Sequence, residues 1–335
     1  GDPQPRNQQE IDYIAHDVIE ELVGTDASFG VTLGDILFDD LSLFEAQARS
    51  IALLGIPWYN VVGNHDINYD APNDSISDET FERHFGPAYY SFDHGPVHFI
   101  VLDDIEWYVA DGQEKGRYRG GFGAKQIEFV KNDLALIPDD QLVVLLMHIP
   151  LDDVHDRQGL YRLIEQRPFC MSVSGHTHYH QHRMITREDG WMGPEPHHHV
   201  VNVTVSGSWW SGSPDERGIP HTICKDGTPN GYSIISFDGA EYSLDLKAAG
   251  RPADYQMQID APEVVAATDV AETVVTANVF NGLPTSVIEM RIGSGDWIQM
   301  ASTLRPDPTY KRIYDYEVTV TEQPWLKLPT PWNSS

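Results

Sequence analysis

Trp58-Tyr59-Asn60-Val61-Val62 is a short, largely apolar run, and it breaks directly into Gly63-Asn64-His65-Asp66. The run has the length and composition of a buried strand. At Gly63 the chain changes character at once: a glycine lets it turn, then come an amide, an imidazole and a carboxylate. The same join recurs along the chain. Phe29–Leu33 runs into Gly34-Asp35, Leu142–Met147 into His148, and Phe169–Val173 leads to Gly175-His176-Thr177-His178. Val97–Leu102 is a further apolar run, and Asp2-Pro3-Gln4 stands at the start without a strand before it. Helices fill the intervals. Ile11, Ile14, Ala15, Val18, Ile19 and Leu22 line one helical face that stops at Gly24; Leu41–Leu54 and Ala124–Leu136 are two more, the latter with Ile127, Val130 and Leu134 inward. Buried strands alternating with amphipathic helices predict a layered α/β domain. In an open α/β sheet, ligands sit at the carboxyl ends of the strands, so these polar blocks are expected to converge in space.

The rest of the composition narrows the class. With 335 residues the chain is long enough for two domains, and 41% hydrophobic with 22% charged residues suits a folded core. No apolar run reaches the ~20 residues of a membrane span. The formal charge of −29 opposes nucleic acid, whose binding relies on Lys and Arg meeting phosphates. Cys170 and Cys224 are too few for a thiolate zinc site; they form either one disulfide or two free thiols.

The texture changes after about residue 200. His199–Ser206 is β-rich, Gly207–Pro229 reads as a long loop, and Asn230-Gly231 and Asp238-Gly239 are hairpin-turn dipeptides, the second joining Tyr232–Phe237 to Glu241–Leu246. Thr273–Phe280, Ser286–Ile292, Trp297–Met300 and Tyr314–Val320 have strand composition, with Tyr314, Tyr316, Val318 and Val320 alternating. Asp103–Gly123, rich in glycine, reads as a surface loop. The expected division is residues 1–212 as an α/β domain and 213–335 as a smaller antiparallel β domain.

The ordered blocks resemble the calcineurin-like metallophosphoesterase family, whose pattern is D-x-H, G-D, G-N-H-D/E, an isolated H, and G-H-x-H. The resemblance implies a four-layer α/β/β/α sandwich with an accessory β domain, and hydrolysis of a phosphate mono- or diester by a hydroxide activated at two divalent metal ions. It implies that Asp35 bridges both ions, that Asp2, Gln4 and His178 complete one, and that Asn64, His148 and His176 complete the other. His65 would face the substrate as general acid or hydrogen-bond donor, with Asp66 holding its ring. One block departs from the pattern: Gln4 stands where the family has His. An amide oxygen is a harder, weaker donor than imidazole, so among Mn, Mg, Zn and Fe the first two are favoured. The same departure supports an alternative, a catalytically weakened binding protein for a glycan or phosphorylated ligand. Phe38, three residues after Asp35, replaces the tyrosinate ligand of purple-acid relatives. The strand expected before Asp2 is missing, which suggests truncation upstream, and likeness to exported bacterial phosphoesterases suggests a periplasmic or secreted protein. The partner expected is a small phosphate ester; substrate identity and oligomeric state stay open.

Several residues carry plainer expectations. His180 and His182 are expected at a solvated rim, and His197-His198-His199 at an exposed strand start. Trp209 and Trp210 either wall the pocket or anchor the core. Asp39 and Asp40 are expected to back the Gly34-Asp35 block, while a cap on the helix Leu41–Leu54 explains Asp40 equally well.

Overall fold

The computed structural model describes residues 1–110, 113 and 115–334. At its centre lie β3 (Tyr90–His94), β4 (Val97–Val101), β7 (Leu142–Leu146), β8 (Cys170–Ser174), β9 (Gln181–Ile185) and β10 (His197–Val201), which form a six-stranded sheet in the order β3-β4-β7-β8-β10-β9. The inner pairs β4·β7, β7·β8 and β8·β10 are parallel, and the edge strands β3 and β9 are antiparallel. β7 explains why the sheet is buried on both faces. Its alternation sends Val143 and Leu145 to one apolar cluster and Leu142, Val144 and Leu146 to another.

The first of those clusters takes in Phe81 of α4 (Glu79–Phe85), Val130 and Leu134 of α5 (Gly123–Leu134), and Leu160, Tyr161 and Ile164 of α6 (Gln158–Ile164). The second takes in Leu33 of β1 (Gly30–Leu33) and Val61 of β2 (Trp58–Val61), a parallel pair, with Phe237 and Leu244 from the hairpin β11 (Gly231–Asp238) and β12 (Glu241–Ala248). A third cluster covers the outer face of that layer. It joins α1 (Gln8–Ile14), its continuation through a π-helical turn Ala15–Ile19 into α2 (Glu20–Leu22), and α3 (Phe44–Ala52) to Trp58 and Trp210. Helix, sheet, sheet, helix is the expected four-layer order. No helix is long and apolar enough to cross a membrane among the described residues.

Three element expectations fail. Asp103–Gly123 is not an open loop: β5 (Ile105–Tyr108) pairs with β6 (Arg117–Gly120), and Ile105 and Trp107 are buried. Asp111, Gly112 and Glu114, within that span, lie outside the described residues. Asn230-Gly231 makes no hairpin turn; Gly231 opens β11 opposite Ala248. Tyr314–Val320, read as a strand, belongs to α7 (Pro308–Thr319). Asp307 caps that helix by accepting from the Tyr310 amide at 2.8 Å, and Pro308 fits the first turn. The residues that alternate are not the buried ones: Tyr310 and Glu317, seven apart, face inward, while Tyr316 and Val318 are exposed. Of the small C-terminal sheets, β13 (Met257–Asp260) pairs antiparallel with β14 (Thr276–Val279). Cys170 and Cys224 are both free.

Candidate metal centre

Four of the five polar blocks leave the carboxyl end of a strand: Asp35 after β1, Asn64 and His65 after β2, His148 after β7, and His176 and His178 after β8. One ligand atom each from Asp35, His148 and His176 lies within 4.8 Å of the other two. His148 Nε2 is 3.2 Å from Asp35 Oδ1, 3.1 Å from Asn64 Oδ1 and 3.1 Å from His176 Nδ1. The opposite ring nitrogen, Nδ1, donates to the Leu33 carbonyl at 2.8 Å, which aims Nε2 into the cluster. Asp35 Oδ2 turns the other way and accepts from Gln4 Nε2 at 2.8 Å. On that side Asp2 is fully buried, its carboxylate accepts from the His176 amide at 2.9 Å, and Oδ1 lies 4.0 Å from His178 Nε2. His178 Nδ1 donates to the Gly207 carbonyl.

Two glycines make this density possible. A Cβ on Gly63 would sit 2.0 Å from the Asp35 amide nitrogen, and one on Gly175 would sit 2.4 Å from Asp2 Oδ2. Backbone strain gathers here as well. Asp2, Gln4, Asp35, Asp39, His176, His178 and Trp209 all take positive φ, between 40° and 73°. That conformation costs non-glycine residues about 1–3 kcal/mol each and persists only where surrounding structure enforces it.

The electrostatics describe a place that wants positive charge. Burial opposes a charged His148, but the Asp35 carboxylate, helped by Asp2 and Asp104, outweighs it and pushes the imidazole up to about 10. Burial, and then charged His148, push His176 down to about 3. Asp35 is driven below the usual carboxylate range: its burial acts upward, and His148 prevails over it. Burial raises Asp2 to about 6. A proton on His148 thus sits where several lone pairs meet.

His65 has a different partner from the one expected. Its Nδ1 is 2.6 Å from Asp39 Oδ1, and its ring stacks on Phe38 with centroids 4.6 Å apart. Asp66 does not reach that ring. It is wholly buried and accepts from the amides of Gly63, Ile36 and Leu37 at 2.9, 3.1 and 3.1 Å, which pins the loop after β1 to the loop after β2. Asp40 caps the helical turn before α3 by accepting from Ser42 at 3.1 Å. Of the two adjacent carboxylates, one therefore serves the site and the other the helix.

His180, His182, His197 and His199 are buried, against expectation, and His198 is half-buried. His197 and His199 bracket Ser172 at 2.8 and 2.7 Å, and His199 reaches Ser174 at 2.9 Å. His180 and His182 both contact Asn281 Oδ1, at 2.9 and 2.8 Å. Paired imidazoles can be buried because each partner accepts or donates in turn. The tryptophans divide: Trp210 is a core anchor whose Nε1 donates to the Pro3 carbonyl at 2.8 Å, whereas Trp209 stacks on His178. Tyr118 of β6, edge-on to His176 with centroids 6.2 Å apart, was missed. The alternation of Ile105, Glu106, Trp107 and Tyr108 was the signal for its hairpin.

Residues 4–180 match the calcineurin-like phosphoesterase family, more than half of the chain, and residues 199–333 match the C-terminal region of calcineurin-like phosphoesterases. The fold is similar to that of a purple acid phosphatase from yellow lupin (Lupinus luteus) seeds, at TM-score 0.49 and 16% identity over 73% of this chain and 47% of that one. It is also similar to a PhoD structure, at TM-score 0.47 and 13% identity over 69% and 66% of the two chains. The chain thus spans about half the length of the lupin protein. No curated protein matches it.

Proposed function

The chain belongs to the calcineurin-like phosphoesterase family, and on that premise we propose that it hydrolyses a phosphate mono- or diester with two divalent cations. The observation that carries this reading is the convergence of Asp35, His148 and His176, from the ends of three strands, to within 4.8 Å of one another. The donor set fits a metal pair. Asp35 presents one oxygen to the His148 side and the other to the Gln4 side, so it would be the residue the two ions share. Asn64, His148 and His176 would hold one ion; Asp2, Gln4 and His178 would hold the other. Gln4 Oε1, buried and without a hydrogen-bond partner among the described residues, is the oxygen available on that second side. Mn or Mg suits this amide-bearing half better than Zn.

When bound, the cations would supply a water that is nucleophilic at neutral pH and a clamp on the phosphoryl charge. The residues supply the remainder. His65, one-fifth exposed on its side chain, keeps Nε2 free of protein partners among the described residues, so it can give a hydrogen bond or proton to the departing oxygen. Asp39 fixes that ring through its contact with Nδ1. Asp66 keeps Asp35 and Asn64 in register through three backbone amides.

The test is a chelated chain reconstituted with Mn, Mg or Zn and assayed on p-nitrophenyl phosphate and bis(p-nitrophenyl) phosphate. Turnover with at least one metal is expected, with His65→Ala reducing kcat by about 10²–10⁴. Absence of turnover with every metal overturns the reading. The binding-protein alternative draws on Gln4 donating to Asp35, which occupies an oxygen needed by an ion. Metal analysis separates the two: two ions per chain supports the hydrolase, one or none the binder.

A further inference from the structure

Beside His178 the candidate centre meets a surface of another kind. Trp209 lies on the His178 ring with centroids 4.2 Å apart and planes 29° apart, and the Lys225 ammonium sits 4.5 Å from the centre of the indole. Trp332 is tied to the same segment: its amide donates to the Lys225 carbonyl at 3.2 Å, and its ring packs 4.8 Å from Tyr179.

Lys225 is unlike Arg6, the other cation close by. The Arg6 guanidinium is held by Glu10 at 2.8 Å and by the Trp209 carbonyl at 2.6 Å. Lys225 has an aromatic face and, among the described residues, no carboxylate within ion-pair distance. The carboxylate of its neighbour Asp226 accepts from the Thr228 side chain and the His180 amide. Acidic residues outnumber basic ones 51 to 22 in this chain, so a half-buried ammonium set on a π-face, with no carboxylate partner among the described residues, is conspicuous. Removing a charge from water is unfavourable unless a counter-charge arrives, and a cation–π contact offsets only part of that. An anion supplied by a ligand would complete the arrangement.

We propose that Lys225, steadied by Trp209, binds a second anionic group on the leaving portion of the substrate, so that preferred substrates are small organic phosphates bearing a further negative charge. This rests on the hydrolase reading. The scissile phosphoryl would be met by the metal-ligand cluster, and the second anion by Lys225 on the His178 side. An ester with a neutral leaving group gains little from the ammonium, because nothing on it answers the charge. Selectivity then comes from one charge-assisted contact, a strength equivalent to about tenfold or more in affinity.

The test compares propyl phosphate with propane-1,3-diol bisphosphate on the metal-loaded full chain, in wild type, Lys225→Ala and Lys225→Arg. Wild type should prefer the bisphosphate. Lys225→Ala should lose about tenfold more kcat/KM on the bisphosphate than on propyl phosphate, mainly through KM, and Lys225→Arg should restore most of the difference. Equal losses on both compounds, or no loss, overturn the inference. If wild type turns over neither, the hydrolase reading fails separately. Calorimetric binding of the same two compounds then decides the role of Lys225, with selective weakening of the bisphosphate in the alanine variant expected and its absence fatal. Thermal melts of each variant establish that it is folded.

Discussion

At Gly63 a single hydrogen separates the loop after β2 from Asp35. Gly63→Ala places a carbon 2.0 Å from the Asp35 amide nitrogen and 2.4 Å from Asp35 Oδ1, and the nitrogen, being backbone, cannot swing away. The expected result is a loss of about 1–3 kcal/mol in denaturant unfolding, together with weaker metal uptake. Asp39 offers the complementary experiment, since it touches a ring nitrogen of His65 without belonging to the ligand cluster. Asp39→Asn should lower kcat by about tenfold or more at unchanged metal content, the signature of a mispositioned imidazole. An unchanged kcat would remove Asp39 from the mechanism. The family pattern identified His65 from sequence, but not this partner. Asp39 lies four residues beyond Asp35, and only its left-handed backbone, at φ 64°, turns it back toward the ring.

At the scale of elements, α7 and β10 carry the next tests. Asp307→Ala removes the oxygen that accepts from Tyr310 and should cost about 1 kcal/mol of stability. β10 bears His197, which burial lowers to about 3. An imidazole kept neutral inside the fold contributes its full stability above the ordinary value near 6.5. That contribution declines as pH falls toward 3, at about 1.4 kcal/mol per pH unit. His197→Gln should therefore flatten the stability–pH curve over that interval relative to wild type, as read by denaturant titrations at several pH values. The buried carboxylates that titrate in the opposite sense, such as Asp103 and Asp104, are common to both chains and cancel. These same elements show what was legible. The buried strands β4 and β7 could be read because apolar residues dominate both faces, β8 because Met171 and Val173 mark one, and the candidate site because its residues interrupt such runs. α7 was not legible, since Tyr314, Tyr316 and Val318 mimic a two-residue period while a cap and a buried Glu317 decide for helix. Nor were the buried histidines, whose partners Ser172, Ser174 and Asn281 are distant in sequence.

Across the whole molecule, charge and layering set behaviour. A chain of formal charge −29 repels an anionic ester at long range. The screening length shortens from about 30 Å at 0.01 M salt to about 8 Å at 0.15 M. Raising salt over that range should increase kcat/KM for phosphate esters; a decrease would mean that local cations govern the approach. Layering has an equally direct consequence for truncation. Phe237 and Leu244 pack against the cluster that holds Phe99 and Val144, so a cut near residue 240 would remove Leu244 and leave Phe237 without its paired strand.

The shared carbonyl of Asn281 has a further consequence. Its oxygen meets His180 and His182, its nitrogen donates to Leu244 at 2.8 Å, and His180 Nδ1 in turn accepts from the Val203 amide at 3.1 Å. Residues from both halves of the chain therefore converge on one side-chain amide. Neither half can loosen there without stranding imidazoles in an apolar interior, so calorimetry should record one endotherm instead of two, and deuterium uptake at Val203 should track global melting.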